Sequence, residues 1–245
     1  AIQFVRFSGK LLENGMNVVL KVPKDLKTLM QTSMPSMSVI DDEDPLPECD
    51  WQAPLMSLPY LMGITSFKLI SGDPYLVASP ISEEASGFLS SDKCLTVGVN
   101  WVGARGHKED YKRSIDPELF EALGSVKGIQ FFDLQFDVLE ERPYFLNSAP
   151  RLADFASNFY ESASVLKSLD LVISVDTSTL HLAGALGVPC WGLIPKVPDW
   201  RWRLEGETTP WYNSVRLFRQ SNQNEWSDVL NRLAGRLEEM RDGNT

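Results

Sequence analysis

Leu171-Val172-Ile173-Ser174-Val175-Asp176-Thr177-Ser178-Thr179-Leu180-His181 is the stretch that decides the fold. Its first five residues form an apolar-rich run with no polar face, the pattern of a strand buried on both sides. Ser178–Leu186 follows as a helix closed by Gly187 and Pro189, and Cys190–Ile194 reads as the next strand. Residues 171–194 are therefore one βαβ unit of a parallel sheet. In such open sheets ligands gather beyond the carboxyl ends of the strands, which here means Asp176-Thr177-Ser178. Free backbone N–H groups and the positive end of the helix dipole favour an anion there, and the hydroxyls of Thr177, Ser178 and Thr179 add donors. His181 shares their helix face, and Gly184 on that side permits close packing. The same spacing equally describes an ordinary helix cap by Asp176 or Thr177 with His181 as a satisfied core histidine. Spacing alone leaves both open.

Outward from this unit the alternation continues. Phe159, Ala163 and Leu166 recur at helical spacing just before the strand. Residues 95–101 and 129–134 read as strands and 117–123 as a short helix. Trp226, Val229, Leu230, Leu233, Leu237 and Met240 stripe a final helix, with Asn224 expected at its cap and Arg236 and Arg241 at its C-terminal end. The first ninety residues mix both patterns: a helix over 1–12, a strand over 17–22, a Pro23-led helix to Ser33, and strands at Ser38–Ile40 and 51–53. An acidic stretch, 41–50, separates those two strands. Residues 55–62 suit a short helix and 79–92 a linker. The expected fold class is α/β, with one domain over 1–90 and a second over 91–245 whose last helix packs back toward the first. The helix at residue 1 has no capping residue before it, so either a preceding segment is expected or the chain was processed there.

Composition narrows the functional classes. A hydrophobic fraction of 43% with 23% charge is ordinary for a globular chain of 245 residues. The net charge of −10 argues against a broad nucleic-acid surface, which needs a cationic field. Cys49, Cys94 and Cys190 are sparse and unpaired in spacing, the pattern of reduced cytoplasmic thiols. With only His107 and His181, no His-rich metal centre is expected. No integral membrane segment or signal peptide is visible.

Against that acidic background Arg105, His107, Lys108, Lys112 and Arg113 form the densest basic cluster, after the carboxyl end of strand 95–101. Two such loops at one sheet edge could clamp a diphosphate from opposite sides. A solvated surface loop is the other reading of the same charges. The aromatics Trp200, Trp202, Trp211 and Tyr212 could stack on a sugar or base at a cleft rim, or wedge the last helix against the sheet.

Residues 169–202, with the core Val175-Asp176-Thr177-Ser178-Thr179-Leu180-His181-Leu182-Ala183-Gly184 and the sequel Pro198-Asp199-Trp200-Arg201-Trp202, resemble bacterial glycosyltransferase domains that follow tetratricopeptide repeats. Those domains are similar to the ADP-heptose:lipopolysaccharide heptosyltransferase family and, more distantly, to the O-linked N-acetylglucosamine transferases. The likeness extends to residues 1–6, 100–115, Trp211-Tyr212 and 216–220.

The resemblance implies a GT-B type architecture of two facing Rossmann-like domains, the N-terminal one lacking its first strand. It implies an inverting, metal-independent transfer from a nucleotide-diphosphate sugar to a hydroxyl on a glycan, lipid-linked or protein acceptor, with no cofactor. Asp176, Thr177, Ser178 and His181 fall on the family's D-[ST]-x-x-x-H pattern at the donor diphosphate, with Thr179 beside them. Lys112 or Arg113 falls where the family places a basic residue on the phosphates, Arg105 joins them as a donor-diphosphate candidate from the basic cluster itself, and Gln135 falls near the nucleotide pocket. Relatives carry a Gly-Asp, read as the general base, directly before the residues that match Ala1-Ile2-Gln3-Phe4, so no catalytic residue is assigned within this chain. A nucleotide-sugar-binding module without catalysis and a sugar epimerase of the same architecture are the alternatives. Tetratricopeptide repeats are expected upstream.

Overall fold

The computed structural model describes residues 1–89, 94–104, 106, 108–136 and 141–243. Residues 1–7 enter as turns and a short 3-10 segment, then α1 covers Ser8–Glu13. A small βαβ unit follows: β1 (Val19–Lys21), α2 (Lys24–Ser33) and β2 (Ser38–Ile40), with β1 and β2 parallel. Pro23 precedes α2, and Leu26, Leu29 and Met30 are the face it buries. The acidic stretch after β2 folds around Lys27, which pairs with both Asp41 and Asp44. Hydrogen bonding from the Glu43 backbone, and then Lys27, holds the Asp41 carboxyl below its ordinary range. Residues 51–53 are not a strand: Trp51 is 91% exposed, and no described strand pairs with the segment. The short α3 spans Leu58–Leu61, and the expected linker contains a helix, α4 (Glu83–Leu89).

The remainder builds β3 (Leu95–Asn100), α5 (Glu121–Gly124), β4 (Ile129–Asp133), α6 (Phe159–Lys167), β5 (Leu171–Val175), α7 (Ser178–Leu186), β6 (Cys190–Ile194), β7 (Thr208–Thr209), β8 (Tyr212–Arg219) and α8 (Ser227–Arg241). The strands form one sheet in the order β4-β3-β5-β6-β8-β7, parallel except for β7. β5 lies in its middle. Leu171, Ile173 and Val175 face the layer that holds α5 and α8, while Val172 faces the layer of α6 and α7. Burial on both faces is why this strand carries no polar stripe.

Two expectations at the C-terminal end need correction. Asn224 does not cap α8: it sits at φ 62°, and the helix starts at Ser227 after Trp226 with no side-chain cap. The segment 212–219, read only as aromatics, is a strand of eight residues. The apolar layer over α6 and α7 runs on without a break into the N-terminal half, through Phe4, Phe7, Leu29, Met30 and Trp211. Among the described residues no helix is long and apolar enough to cross a membrane.

Candidate functional site

The chain leaves β3 toward β4 on one side and returns past it to β5 on the other, so the sheet order reverses between β3 and β5. A crevice opens beyond the carboxyl ends of strands at such a reversal. Asn100 ends β3 and Asp176-Thr177 follows the end of β5, so both border it. Thr177 takes the N-cap position of α7 in extended conformation, yet its side chain makes no capping hydrogen bond. Its hydroxyl instead donates to Asn100 Oδ1 at 2.9 Å. Asn100 Nδ2 in turn donates to Gln135 Oε1 at 2.9 Å, and Ser174 adds its hydroxyl at 3.3 Å from Asn100 Oδ1. This buried network ties the ends of β3, β4 and β5 together. It also turns Thr177 away from the first turn of α7, so the helix lacks its usual N-cap acceptor, the condition that favours an external anion. Ser178 is exposed and Thr179 half-buried.

The basic loop meets this turn through one residue. Arg113 Nη1 donates to the backbone carbonyl of Asp176 at 2.6 Å, and its Nε donates to Asp110 Oδ1 at 2.9 Å. Ser114 donates to the other Asp110 oxygen at 2.6 Å and accepts from the Gly103 N–H at 3.0 Å. A Cβ on Gly103 would lie 2.1 Å from Asp110 Oδ1 and 2.6 Å from Arg113 Nε, so glycine is what lets this clasp close over the end of β3. Lys112 faces outward and pairs with Glu109. Arg105 and His107 lie outside the described residues.

His181 sits one turn into α7 with Nδ1 hydrogen-bonded and Nε2 facing a carboxylate beyond hydrogen-bond distance. Nδ1 is 2.8 Å from the Tyr212 hydroxyl, Nε2 is 3.8 Å from Asp176 Oδ1, and the ring stacks on Trp202 at 5.3 Å and 19°. Burial, then the Arg201 charge, pushes its pKa down to about 3, so the imidazole is neutral at pH 7. Burial pushes the Asp176 carboxyl the other way, opposed by the Trp202 indole and Arg113. The Trp202 N–H meets no acceptor at full hydrogen-bond geometry but faces that carboxylate. His181 thus contributes a neutral dipole at the turn, and Arg113 is the described cation that touches it.

Gln135 is buried, its side chain held by Asn100 and its backbone N–H by Asp133. A cavity of about 220 Å³ opens between it and the first turn of α7. Leu134, Phe136, Leu152 and Phe159 make its walls apolar, and Asp25 reaches its edge from the N-terminal half. Asn100, Gly103 and Asp110 carry much of this geometry without being singled out in the sequence, and Tyr212, read there as an aromatic that stacks on a ligand or wedges a helix, is a buried partner of His181. Asn100 had one legible signal, a polar residue closing an otherwise apolar strand at its carboxyl end. Among the described residues no group of three or more His, Cys, Asp or Glu side chains could hold a metal ion.

A six-stranded, mainly parallel sheet facing a smaller α/β lobe, with its crevice at the β3/β5 reversal, is the GT-B type of architecture. E. coli ADP-heptose lipopolysaccharide heptosyltransferase II shares the fold, with a TM-score of 0.61 over 99% of this chain and 95% of that one at 12% identity. The dodecameric iron-containing heptosyltransferase TibC, solved with ADP-D-beta-D-heptose, shares it at TM-score 0.55 and 12% identity, over 98% of this chain and 73% of that one. In sequence, Protein FlbA of Caulobacter vibrioides is 28% identical over 148 residues, 58% of this chain. The matched region spans about a quarter of that relative's length, 24%. No family model matches the chain.

Proposed function

We propose that this chain is the nucleotide-sugar-handling part of an inverting, metal-independent glycosyltransferase, with the donor's diphosphate at the 176–181 turn. The observation that carries this reading is the uncapped start of α7 at the sheet reversal, with Arg113 clasped to the Asp176 carbonyl. A diphosphate there would take the free N–H groups of α7, the hydroxyls of Ser178 and Thr179, and the charge of Arg113. The ribose and base would extend into the apolar cavity beside Gln135. The fold shared with heptosyltransferases supports this reading.

In the proposed reaction an acceptor hydroxyl attacks the sugar's anomeric carbon as the nucleoside diphosphate leaves, and a base takes the hydroxyl proton. The 91–245 half holds the leaving group, while the 1–90 half presents the acceptor, a glycan, lipid-linked or protein hydroxyl. Charge growing on the diphosphate is met by the helix start and Arg113, and losing one such preorganised contact costs about 3 kcal/mol of barrier. We place the domain in a cytoplasmic protein with repeats upstream. Incubation with ADP- and UDP-sugars tests the chemistry. Nucleoside diphosphate released in step with a glycosylated acceptor is expected. An epimerised sugar released without acceptor would overturn transfer in favour of epimerisation, and binding with neither product would leave a binding module.

A further inference from the structure

Tyr212 opens β8, thirty-one residues after His181 in sequence, and is fully buried. Its ring lies flat against α7 at the position of Gly184: a Cβ there would fall 2.4 Å from Tyr212 Cγ, with two further ring atoms inside 2.9 Å. The Arg6 guanidinium also stands over the ring, 5.0 Å from its centre. The ring therefore has little room to move, and its hydroxyl reaches Nδ1 of His181 at 2.8 Å. The other nitrogen, Nε2, faces Asp176 Oδ1 at 3.8 Å.

These two contacts together select a tautomer. If Nδ1 carried the proton, the Nε2 lone pair would face a carboxylate oxygen, a repulsion inside a largely buried site. With the proton on Nε2, that N–H points toward the carboxylate and Nδ1 is free to accept. Tyr212 can then donate, and burial raises its own pKa well above 10, so the hydroxyl keeps its proton. Tyr75 donates its hydroxyl to the Ile2 carbonyl at 2.8 Å, so its oxygen is the second acceptor within reach of the Tyr212 hydroxyl; with Nδ1 of His181 unprotonated, the imidazole nitrogen is the stronger acceptor of the two.

We propose that Tyr212 is a positioning residue: its hydroxyl fixes His181 as the Nε2–H tautomer, with that N–H turned to Asp176 at the mouth of the phosphate turn. Gly184 is the third part of the device, since it lets the Tyr212 ring pass. The role in donor binding rests on the nucleotide-sugar reading above; the tautomer does not. Arg201, Asp199, Arg6 and Asp176 are the charged side chains that face the imidazole, and Trp202, Tyr75 and Tyr212 complete its surroundings. Burial and the two guanidinium groups disfavour imidazolium, which keeps the tautomer question meaningful across the neutral range.

The chain holds only two histidines, so ring ¹⁵N spectra of a His107→Gln background report His181 alone. One dominant Nε2–H tautomer is expected in that background, with a raised Nδ1–H share in Tyr212→Phe and again in Asp176→Asn, since each variant removes one of the two contacts that select it. A dominant Nδ1–H form, or an unchanged Nε2–H form in Tyr212→Phe, would overturn the proposal. The background spectrum decides even if the Tyr212 variant folds poorly. A calorimetric cycle with ADP and UDP as probes adds the functional arm. Tyr212→Phe should weaken binding about fivefold in wild type, the worth of one net hydrogen bond, and add nothing in a His181→Ala background. Additive losses would mean that Tyr212 acts through packing alone and would contradict the positioning role. Wild-type protein that binds neither probe would remove the nucleotide-sugar reading, with the tautomer still settled by the spectra.

Discussion

His181 is held neutral by its surroundings, and the consequence for stability has a definite sign. Its folded pKa of about 3 lies below the ordinary 6.5, so the unfolded chain binds a proton that the folded chain refuses. Stability from this group is fully present above pH 6.5 and falls as pH drops toward 3, at about 1.4 kcal/mol per pH unit. Urea titrations between pH 7 and 4 should show that extra slope in wild type relative to His181→Gln, which cannot titrate. Equal slopes would mean that the imidazole is solvated. Residue by residue, the site was only partly legible. Asp176, Thr177 and Ser178 announce themselves because they sit where a strand becomes a helix. Tyr212 and Asn100 do not, because what matters about them is a partner 31 or 77 residues away. Lys112 and Arg113 look alike in sequence, and only the clasp with Asp110 and Gly103 separates the inward guanidinium from the outward ammonium.

Among the elements, α7 and β8 are fitted to each other through the absence of a side chain. Gly184→Ala should cost about 1–3 kcal/mol by forcing Tyr212 off the helix, as overpacking does in close-packed cores. A methyl group added at Gly235 in α8 would meet nothing within 4 Å. Gly235→Ala should therefore stabilise by about 0.5–1 kcal/mol through helix propensity. Opposite signs in urea unfolding check both; a Gly184→Ala change within error of neutral would mean that the β8–α7 seam is loose. β5 and α7 were readable because burial on both faces, followed by Thr and Ser before an apolar helix, leaves few other structures. β8 was not. Arg216 and Arg219 interrupt its pattern, since one pairs with Glu207 and the other bonds the backbone of the 202–206 loop. The same locality misled the reading of Asn224, which suits a cap by type but occupies a left-handed turn two residues too early.

At the scale of the molecule, the N-terminal half is joined to the sheet by a continuous apolar layer and a few directed bonds. Phe4 and Phe7 meet Trp211 at 5.7 and 6.4 Å, and Arg201 Nε donates to Gln3 Oε1 at 2.7 Å while its guanidinium lies over Phe4. One cooperative thermal transition is therefore expected, with Arg201→Met lowering stability by about 2 kcal/mol as a charge-assisted bond is lost. Two separated transitions would mean that the halves fold independently. The central claim, that the 176–181 turn and Arg113 hold a nucleoside diphosphate, is tested most directly by calorimetric titration of ADP and UDP into wild type and Arg113→Ala. At least one of the two nucleotides should bind wild type and lose roughly tenfold or more in affinity in the variant, in line with a charge-assisted contact. Equal binding by both proteins, or none by wild type, would contradict it.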